Sequence, residues 1–216
     1  MTGGSTLVFP HDAARDEAEW REWLDGPDLF GVLAVNNREA TGASVLVPTH
    51  ATLRDDEILL HLARVNPVFE HLGEDREVLF QVVGAVAYVP GPWRAAPEVP
   101  SEHGVPTSYY SAVQFRCSAE VVDDPAGTAE ILAVQLADLQ PEGGSAPVHA
   151  DAGPYARMLP AVRGLRLHVL EVSAKFKYDD EKSVEHRMRV NALLDERARP
   201  GDRAAARRQR QRWARD

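Results

Sequence analysis

The chain has 216 residues, of which 44% are hydrophobic, and a single cysteine, Cys117. This size allows one sizeable core, and one cysteine excludes an internal disulfide and a cysteine-based metal cluster. The formal net charge of −9 argues against general affinity for nucleic acid. No apolar run approaches the roughly 20 residues of a membrane span, and the N-terminus lacks the pattern of a secretory signal, so we expect a cytoplasmic protein without membrane contact.

The N-terminal part of the chain is predicted to contain one helix and four short strands. Residues 12–24 carry tryptophan and leucine at helical spacing, and Asp12 is the predicted N-cap because its carboxylate can accept a backbone N–H bond. The pattern then changes to short segments that are rich in β-branched residues and separated by turn sequences, which is typical of strands. The predicted strands cover residues 29–36, 43–49, 57–63 and 77–83.

The clearest strand follows a proline-rich loop and covers residues 107–122, TSYYSAVQFRCSAEVV. Tyr109, Phe115 and Cys117 share one parity with other apolar residues, whereas the opposite parity is more polar. This alternation predicts a long strand with one buried face. The remaining predicted elements are helices over residues 125–139, 155–162 and 182–196 and a strand over residues 165–173.

These elements predict an α+β fold with a mostly β core, a small antiparallel barrel with helices at its ends and over its openings. The chain shows neither βαβ alternation nor a glycine-rich phosphate loop, which argues against a Rossmann or P-loop enzyme. We expect residues 1–196 to form a single domain. Residues 197–216 hold eight arginines and two aspartates, and we expect an exposed, partly helical tail, the one segment suited to nucleic-acid contact.

The segment LLHLARVNP, residues 59–67, places a histidine and an arginine in an apolar strand that should be covered on both faces. Buried polar side chains require partners. In a structural interpretation, His61 bonds a backbone carbonyl, Arg64 pairs with a carboxylate, and Asn66 caps the helix that Pro67 begins. In a functional interpretation, Arg64 and the helix start hold a phosphate or carboxylate, and His61 stacks on, hydrogen-bonds or ligates a bound group.

Two further pairs of residues are candidate ligand contacts. Tyr109 and Tyr110 point to opposite faces of their strand, so one is expected in the core, while the other can stack on a planar cofactor or lie in a dimer interface. Lys175 and Lys177 share one face and can reach a phosphate or propionate, although a solvated strand end also explains them. The remaining histidines show no zinc-site spacing, so no structural zinc is expected.

The chain resembles the PaiB-type family of FMN-binding negative transcriptional regulators in four segments: HLARVNP, EVLFQVVGAVAYVPGPW, HGVPTSYYSAVQF and VRGLRLHVLEVSAKFKYDDEKS. The resemblance covers roughly residues 7–194. It implies an FMN-binding-type split β-barrel, a homodimer with cofactor pockets at the subunit interface, and a regulatory role. The chain departs from the family at Ser108-Tyr109-Tyr110, where Trp-Asn-Tyr is usual, in the loop around Pro92-Trp93, and after Lys177.

The chain is also similar, more distantly, to heme-dependent piperazate synthases, which form an N–N bond. That similarity implies a heme enzyme with His61 as axial ligand, since a neutral imidazole on a dry strand suits iron. A non-catalytic interaction protein with a vestigial pocket is a third hypothesis, so the sequence leaves open whether the protein is an enzyme. The candidate contacts of FMN, or alternatively heme, are His61, Arg64, Asn66, Tyr109, Tyr110, Lys175 and Lys177.

Overall fold

A computed structural model of the protein describes residues 7–25, 29–37, 42–72 and 76–214. The chain divides into two compact units. The expectation that residues 1–196 form a single domain stays a prediction. The described part of unit 1 comprises residues 21–82 and 114–172, and that of unit 2 comprises residues 7–20, 83–113 and 173–214. None of the helices in these ranges combines the length with the apolar character that crossing a bilayer requires.

The described residues form eight strands, whose order in the sheet is β2-β1-β5-β7-β8-β4-β3, with β6 paired to β7. The strand pairs whose registers are defined run antiparallel. The long strands β7 and β8 contribute residues to both units. The strands are β1 Phe30–Val35, β2 Val45–His50, β3 Thr52–Arg54, β4 Glu57–Ala63, β5 Arg76–Val83, β6 Ala87–Val89, β7 Thr107–Val122 and β8 Val162–Lys177.

Helices and single 3-10 turns precede, connect and follow these strands. The helices are α1 Glu17–Leu24, α2 Val68–His71, α3 Gly91–Arg94, α4 Pro125–Leu139, α5 Val184–Arg197 and α6 Asp202–Trp213. The 3-10 turns are Pro10–Asp12, Ser101–His103, Tyr155–Arg157 and Leu159–Ala161. The fold is therefore α+β around an antiparallel sheet, as the sequence pattern predicts.

The prediction is most accurate where the hydrophobic period is unambiguous. Strand β7 spans the predicted residues 107–122, and its Tyr109, Phe115 and Cys117 side chains are fully buried on the predicted face. Strand β4 and helix α4 also have the predicted bounds. The sequence pattern does not predict strands β3 and β6, because three residues are too few to show a period. Strand β8 is longer than predicted and extends beyond residues 165–173 at both ends.

Two helix predictions are wrong in detail. Asp12 lies buried in the 3-10 turn Pro10–Asp12 and caps no α-helix. Helix α1 instead begins at Glu17, because Asp16 Oδ1 accepts the Glu19 N–H at 2.8 Å, a bond that satisfies an otherwise free donor of the first turn. In place of the helix predicted over residues 155–162, the structure has two 3-10 turns, Tyr155–Arg157 and Leu159–Ala161, since Pro160 removes a backbone donor that a continuous helix would use.

The C-terminal segment is partly helical, as expected, but the expectation that it is exposed is wrong for part of its residues. Residues 202–213 form α6, in which the arginines 208 and 212 are buried in unit 2. Arg212 donates to Glu19 Oε1 at 2.8 Å and to Asp180 Oδ2 at 2.5 Å, and its guanidinium lies 5.3 Å from the Phe176 ring centroid. An arginine with two carboxylates and an aromatic face can be buried, so a basic composition alone does not predict exposure.

Candidate functional site

His61 lies on β4 opposite Gly164 of β8 and faces α4 in unit 1. Its Nδ1 atom is 2.7 Å from Gln135 Oε1, and Gln135 Nε2 donates to the His50 carbonyl oxygen at 3.3 Å. Because the amide nitrogen of Gln135 faces a carbonyl, its amide oxygen faces the imidazole and accepts a hydrogen bond from Nδ1. In the neutral imidazole, this arrangement places the proton on Nδ1 and the lone pair on Nε2.

Helix α4 reaches His61 because its start and its apolar face are both fixed. Asp124 Oδ1 accepts the Gly127 N–H at 2.7 Å, which caps the helix. Ile131 packs with buried residues of β4 and β7, and a Cβ added at Gly164 would lie 2.6 Å from Ile131 Cδ1. The glycine in VRGLRLHVL is thus a place where helix and sheet approach closely.

Arg64 follows the last residue of β4 and is held by three acceptors in unit 1. Its Nε donates to the Pro160 carbonyl at 2.8 Å and its Nη2 to the Val162 carbonyl at 3.3 Å. Its Nη1 donates to Asp123 Oδ1 at 2.5 Å. Arg64 thus pairs with a carboxylate, as the structural interpretation expects, and its contact with a phosphate stays a prediction.

Asp123 also accepts a hydrogen bond from a second arginine, Arg163, which the sequence pattern does not predict. Arg163 Nε donates to the same Oδ1 atom at 3.0 Å, and its guanidinium lies 5.1 Å from the Phe69 ring centroid. Hydrogen bonds from Arg64 and then Arg163 lower the pKa of Asp123 below its ordinary value. No local pattern could reveal this cluster, because residues 64, 123 and 163 meet only through the pairing of β4, β7 and β8.

Asn66 caps helix α2 as predicted. Its Oδ1 accepts the Val68 N–H at 3.1 Å, and Pro67 already has helical backbone angles, φ −55 and ψ −24. The helix has four residues, Val68–His71. The side-chain oxygen of Asn66 is therefore engaged in the turn, and contact of this residue with a cofactor stays a prediction.

The other four candidate residues belong to unit 2. Tyr109 is fully buried; its hydroxyl donates to Asp179 Oδ2 at 3.0 Å and accepts from Gln209 Nε2 at 3.3 Å. Burial, together with the Asp179 charge, raises the pKa of Tyr109. Tyr109 is thus the core member of the tyrosine pair, and Tyr110 is the half-buried member.

Tyr110 and Lys175 are brought together in unit 2. Lys175 Nζ lies 5.9 Å from the Tyr110 ring centroid and donates to the Leu7 carbonyl at 2.9 Å. Lys177 is half-buried on the same strand. Of the seven candidate residues, three lie in unit 1 and four in unit 2.

Asp179 is the centre of a buried polar network that the sequence analysis did not single out. Arg94 donates to both of its oxygens at 2.9 and 3.0 Å, and His186 Nε2 lies 3.1 Å from Oδ2. Burial alone would raise the pKa of this carboxyl, but the hydrogen bonds and charge of Arg94 outweigh burial and lower it. The signal in the sequence is the departure from the family pattern directly after Lys177.

A separate groove of about 660 Å³ lies in unit 1 between the end of α1, strand β3 and the end of α4. None of the seven candidate residues lines it. Its lining includes Arg21, Leu29, Thr52 and Arg54, and the Thr52 hydroxyl is buried without a hydrogen-bond partner in the described part of the chain. Within the same ranges, no group of three or more His, Cys, Asp or Glu side chains could hold a metal ion.

Comparison with known proteins identifies the family. Residues 8–171 match a family described as "Putative FMN-binding domain". The chain belongs to this family. The match confirms the expectation of an FMN-binding domain with FMN as the family's cofactor, and no curated protein sequence matches the chain.

Solved structures support the fold. The flavocytochrome Anf3 from Azotobacter vinelandii is 19% identical, with 85% of this chain and 78% of that chain covered and a TM-score of 0.60. The FAD and heme binding protein from Mycobacterium smegmatis is 14% identical, with 82% and 78% covered and a TM-score of 0.60. These similarities confirm the predicted split-barrel fold of the FMN-binding type.

Proposed function

We propose that this protein binds FMN and that Arg64 holds the flavin phosphate. The observation that carries the proposal is the setting of the Arg64 guanidinium. Two of its N–H groups donate to the carbonyls of Pro160 and Val162, which fix the guanidinium. A third N–H donates to the carboxylate of Asp123, so an anionic group already occupies this position. Guanidinium groups match the oxygen geometry of phosphate, so these residues fit the group. When bound, FMN supplies a ring that accepts and donates electrons.

The test is the absorption spectrum of the purified protein, followed by titration with FMN and with riboflavin. We expect saturable FMN binding that Arg64→Met weakens about tenfold or more, because a charge-assisted hydrogen bond is lost, with little effect on riboflavin. Arg116→Met is the matched control. The side chains of Arg116 and Arg64 are similarly exposed, at 30% and 35%, and Arg116 also pairs with carboxylates, Glu77 and Glu171. A protein that lacks flavin as purified and takes up neither flavin contradicts the proposal.

Heme binding through His61 is the second candidate, and a specific observation favours it. Gln135 holds the His61 proton on Nδ1, which leaves the Nε2 lone pair available to iron. Ligating histidines in proteins are commonly oriented by such a bond from their other nitrogen. When bound, heme supplies an iron centre for redox chemistry.

Hemin titration tests this second candidate. We expect the Soret band shift of a histidine-ligated heme in the parent protein and its loss in His61→Ala. His168→Ala is the control, because His168 is an exposed strand histidine between Glu57 and Glu120. Equal heme spectra in His61→Ala and the parent rule out His61 as the ligand. If the protein binds neither FMN nor heme, the remaining hypothesis is a non-catalytic interaction protein.

We also propose a homodimer with a regulatory role, which rests on the resemblance to PaiB-type regulators. Support for the dimer comes from the face of β1 and β2 in unit 1, where Phe30 and Leu46 are 50% and 64% exposed. We propose that the regulatory role is indirect, because three arginines of residues 197–214 are engaged within the protein: Arg208 and Arg212 are buried, and Arg197 pairs with Asp202. Fluorescence anisotropy with duplex DNA from upstream of the protein's own gene tests whether the protein acts without binding DNA. Salt-resistant, sequence-specific binding would contradict this proposal.

A further inference from the structure

The cluster of Arg64, Asp123 and Arg163 in unit 1 contains two cations and one anion. Arg64 Nη1 and Arg163 Nε both donate to Oδ1 of Asp123, at 2.5 and 3.0 Å. One carboxylate oxygen thus carries two charge-assisted hydrogen bonds, and the cluster keeps one net positive charge. Two guanidinium groups that converge on one anionic oxygen form the donor arrangement of a phosphate site.

Both arginines have contacts besides Asp123. The carbonyls of Pro160 and Val162 fix Arg64, and its backbone N–H donates to the Ala161 carbonyl at 2.8 Å. Arg163 lies on β8 opposite Leu62 of β4, and its guanidinium lies over the Phe69 ring. The Arg64 guanidinium would therefore stay in place if Asp123 moved away, and the Phe69 ring restricts that of Arg163, so a ligand would bear only part of the entropy cost of ordering the pair.

Asp123 has the most exposed side chain of the three residues in the cluster. It follows the last residue of β7, and its side chain is 51% exposed, compared with 35% for Arg64 and 28% for Arg163. The next residue, Asp124, holds the N-terminus of α4 through its own side chain. The side chain of Asp123 can therefore turn into water while the helix start stays in place.

We propose that Arg64 and Arg163 are a phosphate-binding pair and that Asp123 is its internal competitor, which the phosphate of a flavin nucleotide displaces. This inference rests on the proposed function. It adds Arg163 as a second residue that binds the phosphate, and Asp123 as a residue that lowers the affinity for the flavin phosphate. A phosphate offers three oxygens to the pair, whereas the Asp123 carboxylate brings one oxygen to both arginines. Removing the charge of Asp123 should thus favour a phosphorylated flavin and leave an unphosphorylated one unaffected.

The test compares the dissociation constants of FMN and riboflavin in the parent and in variants, because their ratio isolates the phosphate. We expect Asp123→Asn to raise the preference for FMN severalfold, since a neutral amide competes less well for guanidinium. We expect Arg163→Met to lower the preference about tenfold. The controls are Glu120→Gln, an exposed carboxylate of β7, and Arg166→Met, a neighbouring β8 arginine that pairs with Glu57 and Glu130.

The outcomes separate the inference from the proposed function. If the parent binds both flavins but Asp123→Asn leaves the preference unchanged or lowers it, the inference is wrong while flavin binding stands. If the parent binds neither flavin, the pair is tested with inorganic phosphate alone, by following the arginine Nε–H resonances of ¹⁵N-labelled protein at constant ionic strength. Saturable shifts of the Arg64 and Arg163 signals that tighten in Asp123→Asn support the pair, and shifts that do not saturate in either protein overturn it.

Discussion

At the scale of the residue, the imidazole of His61 has a defined tautomer because Gln135 is itself oriented by the His50 carbonyl. Local sequence predicts that a strand histidine in an apolar run needs a partner. It does not predict which residue supplies the partner, since Gln135 is 74 residues away. The role of His61 in either cofactor hypothesis depends on this distant amide.

We expect Gln135→Leu to release the fixed tautomer of His61, because the Nδ1 hydrogen loses its acceptor. The measurement is the pair of imidazole ¹⁵N shifts in labelled protein at a pH where the ring is neutral. Gln135→Glu is the matched control, since its carboxylate also accepts from Nδ1. An unchanged tautomer in Gln135→Leu would show that Gln135 does not orient His61.

Asp179 is a second residue whose environment has a measurable consequence. Its carboxylate is 3% exposed, and Arg94 donates to both of its oxygens. Because the pKa of Asp179 is lowered in the folded protein, its ionised form contributes stability that is present above the unfolded pKa of about 3.9. That contribution is lost as the pH falls through the lower, folded pKa.

Asp179→Asn tests this contribution. At pH 7 we expect the free energy of unfolding to fall by about 3–5 kcal/mol, since a buried ion pair loses one partner. The difference between parent and variant should shrink at pH values below about 4, because protonation removes the same charge from the parent. Urea denaturation at both pH values measures it, and a difference that does not depend on pH contradicts the assignment.

At the scale of the element, α6 differs most from its sequence-based expectation. An arginine-rich segment with few apolar residues predicts an exposed end, yet Arg208 and Arg212 are buried against Glu19 of α1 and the Phe176 ring. The turn before α6 depends on Gly201, whose φ is 89° and where an added Cβ would lie 2.3 Å from the Val86 carbonyl oxygen. The basic composition predicts the charge of the segment but not its burial, which depends on the carboxylates of Glu19 and Asp180 elsewhere in the chain.

We expect Glu19→Gln to lower the free energy of unfolding by about 3–5 kcal/mol, because both buried arginines lose a charged acceptor. Glu98→Gln, at an exposed position of the same unit, is the control and should change stability by less than about 0.5 kcal/mol. Chemical denaturation of the three proteins under identical conditions measures the difference. Equal stability of Glu19→Gln and the parent would mean that α6 does not depend on this ion pair.

At the scale of the whole molecule, the sheet determines which candidate residues can act together. The antiparallel pairing of β4 with β8 places Arg163 opposite Leu62. Arg64 directly follows the last residue of β4, so this pairing brings the two arginines close together. The face of unit 1 that contains Phe30 and Leu46 belongs to β1 and to β2, the outermost strand of the sheet order. An apolar face at a sheet edge is a suitable surface for a second copy of the chain.

We expect Leu46→Lys to dissociate the proposed homodimer, because a charge would be buried at the interface. Sedimentation velocity of the parent and the variant measures the oligomeric state. Val65→Lys is the control, since Val65 is 88% exposed and lies outside the strands of the sheet. A monomeric parent, or a dimer that Leu46→Lys leaves intact, contradicts the proposed interface.

The sequence by itself determined the fold class, the bounds of β4, β7 and α4, the Asn66 cap and the core position of one of the two tyrosines. These features follow from hydrophobic period and capping chemistry, which act over a few residues. The tertiary structure decided the tautomer of His61, the sharing of Asp123 by two arginines, and the burial of α6. Each of these depends on side chains far apart in the chain, which only strand pairing and helix packing bring within hydrogen-bond distance.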